Sequence, residues 1–136
     1  MKWTGVALLI LIVLGCNTFN SWSAEPNWAG QYTTKNLLDG EAVFQLSIEQ
    51  TGNSLQISFD AAYLDAHGAA PDGGGEAKIA GKNKLAFNWE DSFQNSGTGT
   101  ITRAGDGIVV SMKATHVEEP RCIMFYGENM RLKRVK

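Results

Sequence analysis

The segment DAHGAAPDGGGE, residues 65–76, holds the side chains whose types and spacing come closest to a reactive centre. Asp65 and His67 are two residues apart, so in an extended chain both point to the same side, and the carboxylate can orient the imidazole for proton transfer or metal binding. Asp72 and Glu76 would add oxygen ligands for a divalent ion. One alternative is therefore a metal-binding protein or a metal-dependent enzyme. Asp and Gly also supply ordinary turn geometry, so the competing interpretation is a loop without catalysis.

Other catalytic signatures are absent from the sequence. It contains no nucleophile elbow, no zinc-protease motif, no Cys-x-x-Cys pair and no lysine-bearing phosphate loop. The glycines at 73–75 precede a strand rather than a helix, so they do not form a phosphate cradle. In an extended chain the acid pairs at 90–91 and 118–119 point to opposite faces, and we expect them to be solvated strand ends. These observations favour a protein without a catalytic centre and without a cofactor.

Apolar residues alternate with polar ones through most of the chain after its N-terminal segment. Phe44, Leu46 and Ile48 are separated by polar residues, which is the period of a half-buried strand. The turn TGNS joins this strand to LQISFD in a hairpin. Further strands are predicted in the segments EAKIA, KLAFNW, GTGTITR, IVVSMKATH, CIMFY and MRLKRV.

These strands predict an all-β fold, a small antiparallel meander barrel of about eight strands in residues 24–136. A closed barrel buries one apolar face of each strand and removes the exposed edges that invite aggregation. A two-sheet β-sandwich is the alternative. The segments 61–75 and 90–97 are predicted as loops, and the first is expected to be a mobile flap beside the barrel mouth that serves recognition rather than catalysis.

The first residues, MKWTGVALLILIVLGC, have the layout of a bacterial export signal, with a basic start at Lys2 followed by an apolar run. The run is shorter than the roughly 20 residues that a membrane-spanning helix needs. Cleavage after Ser23 would remove residues 1–23 and leave a soluble domain in the periplasm or outside the cell. Alternatively, the segment VLGC resembles a lipoprotein processing site, so that residues 1–15 are removed and Cys16 carries a lipid anchor in the membrane.

The charge balance argues against a nucleic-acid partner. Lys and Arg number 12 and Asp and Glu number 14, which gives a net charge of -2, whereas nucleic-acid binding needs a positive field that releases counterions. After processing, Cys122 has no intramolecular partner, and we expect it to be a small buried hydrophobe. The basic residues of the last segment predict a charged edge strand, and the alternative is an anionic partner or lipid headgroups. These residues are Arg131, Lys133, Arg134 and Lys136.

The segment NWAGQY, residues 27–32, resembles the W-x-G-x-Y first strand of small exported bacterial barrels. It is also similar to the Trp-bearing first strand of lipocalins and avidins. The resemblance implies a calycin-like, lipocalin-like barrel. It further implies that a basic residue of the last strand, Arg131 or Arg134, lies across the barrel mouth on Trp28.

We therefore expect a non-enzymatic binding module of the bacterial cell envelope. Its mouth and loops would bind a small apolar ligand or an envelope protein, and the alternative within this class is a periplasmic enzyme inhibitor, such as those that act on lysozyme-type enzymes. Structural core is the competing role for most of the aromatic candidates. The ligand-side candidates are Trp28, Tyr32, Phe87, Trp89, Phe93, Arg131 and Arg134.

Overall fold

Eight antiparallel strands follow one another around a closed barrel in the computed structural model, which describes residues 27–136. The last strand returns to pair with the first through Tyr32 with Arg134 and Thr33 with Lys133. The predicted barrel of eight strands is confirmed, and the sandwich alternative is wrong because the sheet closes on itself. The strands are β1 (Gly30–Leu37), β2 (Ala42–Thr51), β3 (Ser54–Tyr63), β4 (Asp72–Gly81), β5 (Lys84–Asp91), β6 (Ser96–Ala104), β7 (Gly107–His116) and β8 (Met130–Arg134).

The predicted export segment, residues 1–23, and the candidate lipidation residue Cys16 lie outside the described residues. The predicted domain, residues 24–136, is described from Asn27 onwards. Within that part of the chain, no helix has both the length and the apolar character needed to cross a membrane.

The two ends of the barrel differ in the length of their connections. At one end, which we call the hairpin end, short turns join β2 to β3, β4 to β5 and β6 to β7. The chain enters β1 and leaves β8 at this same end, because successive strands alternate in direction. The other end, which we call the long-loop end, consists of the connections 38–41, 64–71, 92–95 and 117–129.

Large side chains from alternate strand positions fill the barrel interior. The rings of Phe44 and Phe59 stack with their centroids 5.7 Å apart, and Phe59 meets the rings of Trp89 and Tyr126 edge-on at 5.9 and 5.7 Å. Burying a side chain of this size contributes about 1.5–3 kcal/mol. Further large residues that are fully buried are Leu46, Ile57, Leu85, Ile101, Ile108 and Val110.

The three consecutive glycines lie inside β4, whereas the sequence placed them in a loop. A Cβ atom on Gly74 would overlap the carbonyl oxygen of Ile57 in β3, and one on Gly75 would overlap a carbonyl oxygen of β5. Glycine is needed here because the neighbouring backbones approach too closely for a side chain. The predicted loop 61–75 therefore shortens to 64–71.

Residues Pro120–Phe125 form a 3₁₀ helix, where the sequence predicted the strand CIMFY. Pro120 suits the first turn because it has no N–H group to leave unpaired, and the Glu119 carboxylate accepts a backbone N–H of that turn. Cys122 and Phe125 are fully buried, so the helix covers the long-loop end of the barrel. The strand prediction is wrong because a short apolar run shows burial without showing which secondary structure is buried.

We expect Gly75→Ala to lower the free energy of unfolding by about 1–3 kcal/mol, because the added methyl group has no space beside β5. The matched control is Gly81→Ala in the same strand, where the nearest atom to a new Cβ is the Lys84 Cβ at 3.8 Å. The control should change stability by less than about 0.5 kcal/mol. Urea denaturation measures both variants, and equal losses would contradict the close approach of the strands.

Candidate binding surface at the long-loop end

A buried carboxylate organises the turn between β5 and β6. Asp91 is only 6% exposed; its Oδ1 accepts the backbone N–H groups of Phe93 and Asn95, both at 2.9 Å. Its Oδ2 accepts the Asn95 side-chain amide at 2.9 Å and the Tyr126 hydroxyl at 2.6 Å. The prediction that Asp91 is a solvated strand end is therefore wrong. Its burial is tolerated because both oxygens are fully hydrogen-bonded.

Asn95 joins this turn to the longest connection of the barrel. Its side chain is fully buried, and its Oδ1 accepts the backbone N–H groups of Glu118 and Glu119 at 2.7 and 2.9 Å. Glu119 in turn binds Arg121, which holds the pKa of the Glu119 carboxyl below its usual range. The sequence placed Asn95 in the predicted loop 90–97, as a turn residue only. An Asp followed four residues later by Asn is the signal that was available, since both side chains readily bind nearby backbone.

Tyr126 and Cys122 lie beneath this network, and burial is the largest cause that raises the pKa of both groups. The Tyr126 hydroxyl consequently keeps its proton and donates a hydrogen bond to the Asp91 carboxylate. Cys122 is fully buried and forms no disulfide within residues 27–136. The prediction of a buried small hydrophobe at Cys122 is confirmed, and a thiol with a raised pKa in this setting is a poor nucleophile.

The loop 64–71 carries the predicted Asp65 and His67 pair on the outside of the long-loop end. The Asp65 carboxylate binds both the backbone N–H and the ring Nδ1 of His67, and this hydrogen bonding lowers the pKa of Asp65. The imidazole stacks on the ring of Tyr63 with their centroids 4.1 Å apart. Tyr63 packs in turn against Phe125 of the 3₁₀ helix, 5.1 Å between centroids. The pair is therefore exposed but has a fixed support.

Apolar side chains point outward beside this stack. Leu64 is 59% exposed and Met124 is 52% exposed. Leu64 directly follows Tyr63 in the chain, and the Tyr63 hydroxyl contacts the Met124 sulfur. The Leu64 N–H donates to the Glu41 carbonyl at 2.9 Å, which ties loop 64–71 to the connection between β1 and β2. We call Tyr63, Leu64, His67 and Met124 the loop-end patch.

The structure keeps the four predicted metal ligands in separate places. Asp72 begins β4 and lies opposite Asp60, and Glu76 lies opposite Gln56 at the edge of a groove of about 630 Å³ on the outer wall. Neither joins the pair in loop 64–71. Among residues 27–136, no group of three or more His, Cys, Asp and Glu side chains is placed to hold a metal ion. The geometry therefore offers a carboxylate–imidazole pair rather than a metal cage.

Two arginines contact aromatic residues at the hairpin end, one just before β1 and one within it. Trp28 is buried, and the guanidinium of Arg103 lies 3.9 Å from its ring centroid. The resemblance implied that Arg131 or Arg134 takes this place, and that expectation is wrong. Arg134 pairs with Tyr32 across the β1–β8 seam, so its guanidinium lies over that ring at 5.8 Å. Arg131 is exposed on the outer wall.

The remaining aromatic candidates contact core side chains. Phe87 is 4% exposed, and its ring covers Gly99, where a Cβ atom would overlap it. Trp89 is 3% exposed and its indole N–H donates to the Thr98 carbonyl at 3.0 Å. Phe93 is half-buried and packs on the core from the turn 92–95. Their packing agrees with the alternative given above, in which most of the aromatic candidates are structural core rather than ligand contacts.

Comparison of the chain with protein-family models, with curated proteins and with solved structures finds no match in any of the three. The closed antiparallel barrel of eight strands is compatible with a lipocalin-like barrel. The long-loop end is therefore a candidate site because of its geometry alone. It combines a buried polar network with apolar side chains that point outward.

We expect Asn95→Ala to lower the free energy of unfolding by about 2–4 kcal/mol, because two backbone N–H groups and the buried Asp91 carboxylate each lose a partner. The matched control is Asn88→Ala on the exposed outer face of β5, which should change stability by less than about 0.5 kcal/mol. Hydrogen exchange should speed up at residues 118 and 119 in the Asn95 variant alone. Unchanged exchange there would contradict the role assigned to Asn95.

Asp60 faces Asp72 directly across β3 and β4. Partial burial, and then the Asp72 charge, raise the pKa of Asp60 above its ordinary value of 3.8. A carboxyl with a raised pKa in the folded state favours folding when protonated, and this contribution is lost as pH rises through the folded pKa. Asp60→Asn should therefore stabilise the protein at pH 7, by about 0.5 kcal/mol because the site is partly exposed.

The stability gained in Asp60→Asn should vanish near pH 3, where the parent Asp60 is protonated in both the folded and the unfolded state. Urea denaturation at the two pH values measures it, with Glu49→Gln as the control because Glu49 faces the uncharged Gln56. A gain of equal size at both pH values would show that charge is not its cause.

Proposed function

We propose that this protein is a non-enzymatic binding module of the bacterial cell envelope that recognises a protein partner through its long-loop end. The observation that carries the proposal is the outward placement of Leu64 and Met124 beside a stacked Tyr63 and His67. Exposed apolar surface of this kind is typical of interaction sites on soluble proteins. The export segment predicted in residues 1–23 supports the cell envelope, or the space outside the cell, as the location.

The support beneath the loop-end patch favours recognition. Tyr63 is fixed between His67 and Phe125, and the 3₁₀ helix is anchored through Asn95. A binding surface held in one conformation loses little entropy when a partner docks, so more of the contact energy appears as affinity. Aromatic side chains with a polar tip, such as Tyr63, also supply much of the energy at protein interfaces.

Charge around the loop-end patch indicates the chemistry of the partner. Glu41 and Asp65 lie beside Leu64, and Asp39 and Glu118 are exposed on neighbouring connections of the same end. Acidic residues around an apolar centre favour a partner with basic residues around an apolar centre, because complementary rims steer docking and disfavour wrong partners. A basic envelope protein fits this description.

The alternative, a small apolar ligand inside the barrel, has less support. Phe87 and Trp89 pack in the core, and Trp28 is covered by Arg103. A ligand in the interior would have to displace these contacts, each of which contributes to stability. The compatibility with a lipocalin-like barrel therefore supports the architecture more than a carrier function.

An enzyme inhibitor is the second candidate, and one observation favours it. The side chains of Asp65 and His67 are 72% and 60% exposed, and they project from a loop that other elements hold in place. An exposed loop with a fixed conformation is suited to enter the cleft of a periplasmic enzyme. The acidic rim would complement an enzyme with a basic rim around its cleft.

The first test is site-specific photo-crosslinking of the full chain in living bacteria. A photo-reactive phenylalanine analogue replaces Leu64 or Met124, and the matched control replaces Ile79, which is similarly exposed at 53% but lies near the hairpin end. We expect a protein adduct of one defined mass from positions 64 and 124 and none of that mass from position 79. Adducts of the same pattern at all three positions would contradict a specific long-loop interface.

The captured partner then provides the quantitative measurement. Leu64→Asp and Met124→Asp should each weaken its binding at least tenfold, a loss of about 1.4 kcal/mol, while Ile79→Asp leaves binding unchanged. Melting temperatures should stay close to that of the parent, because all three side chains are exposed. Unchanged affinity in both long-loop variants would overturn the proposal. Inhibition of the partner's activity would assign the inhibitor role.

A further inference from the structure

The hairpin end carries basic side chains that have no acidic partner among the described residues. Lys82 and Lys84 lie at the tip of the β4–β5 hairpin, and Arg134 and Lys136 lie where β8 ends. None of them is within salt-bridge distance of a described carboxylate, and all are exposed. The ion pairs of the described residues lie at the long-loop end instead: Asp65 with His67, His116 with Glu118 and Glu119 with Arg121.

The two ends therefore differ in charge. Exposed acids occupy the long-loop end, whereas in the described part of the chain Glu49 and Asp106 are the acids close to the hairpin tips. A molecule with this separation of charge turns its basic end toward a negative surface. The net charge of the whole chain is only -2. The difference between the two ends therefore comes from where the charged residues lie in the fold.

Apolar side chains accompany the basic ones. Ile79 near the end of β4 is 53% exposed, and Val135 after β8 is 57% exposed. Both lie near lysines: Ile79 precedes Lys82 and Lys84, and Val135 precedes Lys136. Lysines that bind headgroups beside aliphatic side chains that enter the headgroup layer are the combination that a membrane surface accommodates.

The path of the chain adds an independent observation. Arg103 of β6 donates a hydrogen bond to the Asn27 carbonyl, and Arg134 donates one to the Ala29 carbonyl. Asn27, the first described residue, therefore lies at the hairpin end. If processing follows the alternative route and Cys16 carries a lipid, only residues 17–26 separate that anchor from Asn27, and the anchor draws this same end toward the membrane.

We propose that the hairpin end docks on a membrane surface of anionic lipids, with Lys82, Lys84, Arg134 and Lys136 against the headgroups. Each basic residue near such a surface adds a modest attraction that ions screen. Docking in this orientation points the loop-end patch away from the membrane, where a partner can reach it. This inference concerns a different surface from the proposed function, so either can fail alone.

The test measures partition of the full chain onto lipid vesicles. All proteins carry Cys16→Ser, so that no lipid on that residue contributes, and each is titrated with vesicles of phosphatidylcholine alone and of phosphatidylcholine with phosphatidylglycerol. The ratio of the two partition coefficients isolates the preference for anionic lipid. The hairpin-end variant is Lys82→Gln with Lys84→Gln, and the matched control is Lys35→Gln with Lys113→Gln, which removes the same charge from exposed sites in β1 and β7 nearer the long-loop end.

We expect the parent protein to prefer anionic vesicles, and we expect the hairpin-end variant to lose about 10- to 30-fold of this preference, as two lysines near the surface should contribute. The control should lose less than about threefold, and high salt should abolish the preference of the parent. An equal loss in both variants would assign the effect to net charge and overturn the proposal. A parent protein that shows no preference for anionic vesicles would also overturn the proposal. This holds even if that protein binds an acidic polymer such as heparin through Lys82 and Lys84.

Discussion

Closure of the sheet between β1 and β8 is the constraint on which the rest of this structure depends. The seam is short, and the Gln31 N–H bonds to the Lys136 carbonyl at 3.0 Å while the Gln31 carbonyl accepts from Val135 at 2.8 Å. Arginines reinforce it: Arg134 lies over the Tyr32 ring and binds the Ala29 carbonyl. Once the seam is closed, every strand has two neighbours, and no edge remains for pairing with another chain.

Closure also decides where function can be located. Alternate side chains of all eight strands meet in one interior, and Phe44, Phe59, Trp89 and Tyr126 leave it packed. A packed interior directs recognition to the ends of the barrel, where the connections differ in length and in charge. The long-loop end combines an anchored helix with exposed apolar groups, and the hairpin end combines basic tips with the entry of the chain. We infer that the two ends serve different partners.

The sequence predicted the strands because period-two alternation is a direct consequence of one buried face per strand. It failed where burial had another cause. CIMFY is apolar because it covers the long-loop end as a 3₁₀ helix, and Asp91 is buried because turn donors surround it. Arg103 was missed since its contact with Trp28 joins residues far apart in the chain. The predicted recognition loop 61–75 included Tyr63 and His67, but Met124 was missed because it joins them only through tertiary packing.

Native mass spectrometry of the protein, exported by a bacterial host and purified without denaturation, tests the central claim most directly. That claim is that the barrel interior is structural core and that recognition occurs at its ends. The measurement uses the Cys16→Ser form. The expected result is the mass of the bare polypeptide, once gentle activation has removed bound proteins and loosely held lipids. A stoichiometric small-molecule adduct that survives activation and is lost in Phe59→Trp, which takes up space in the interior, would contradict it.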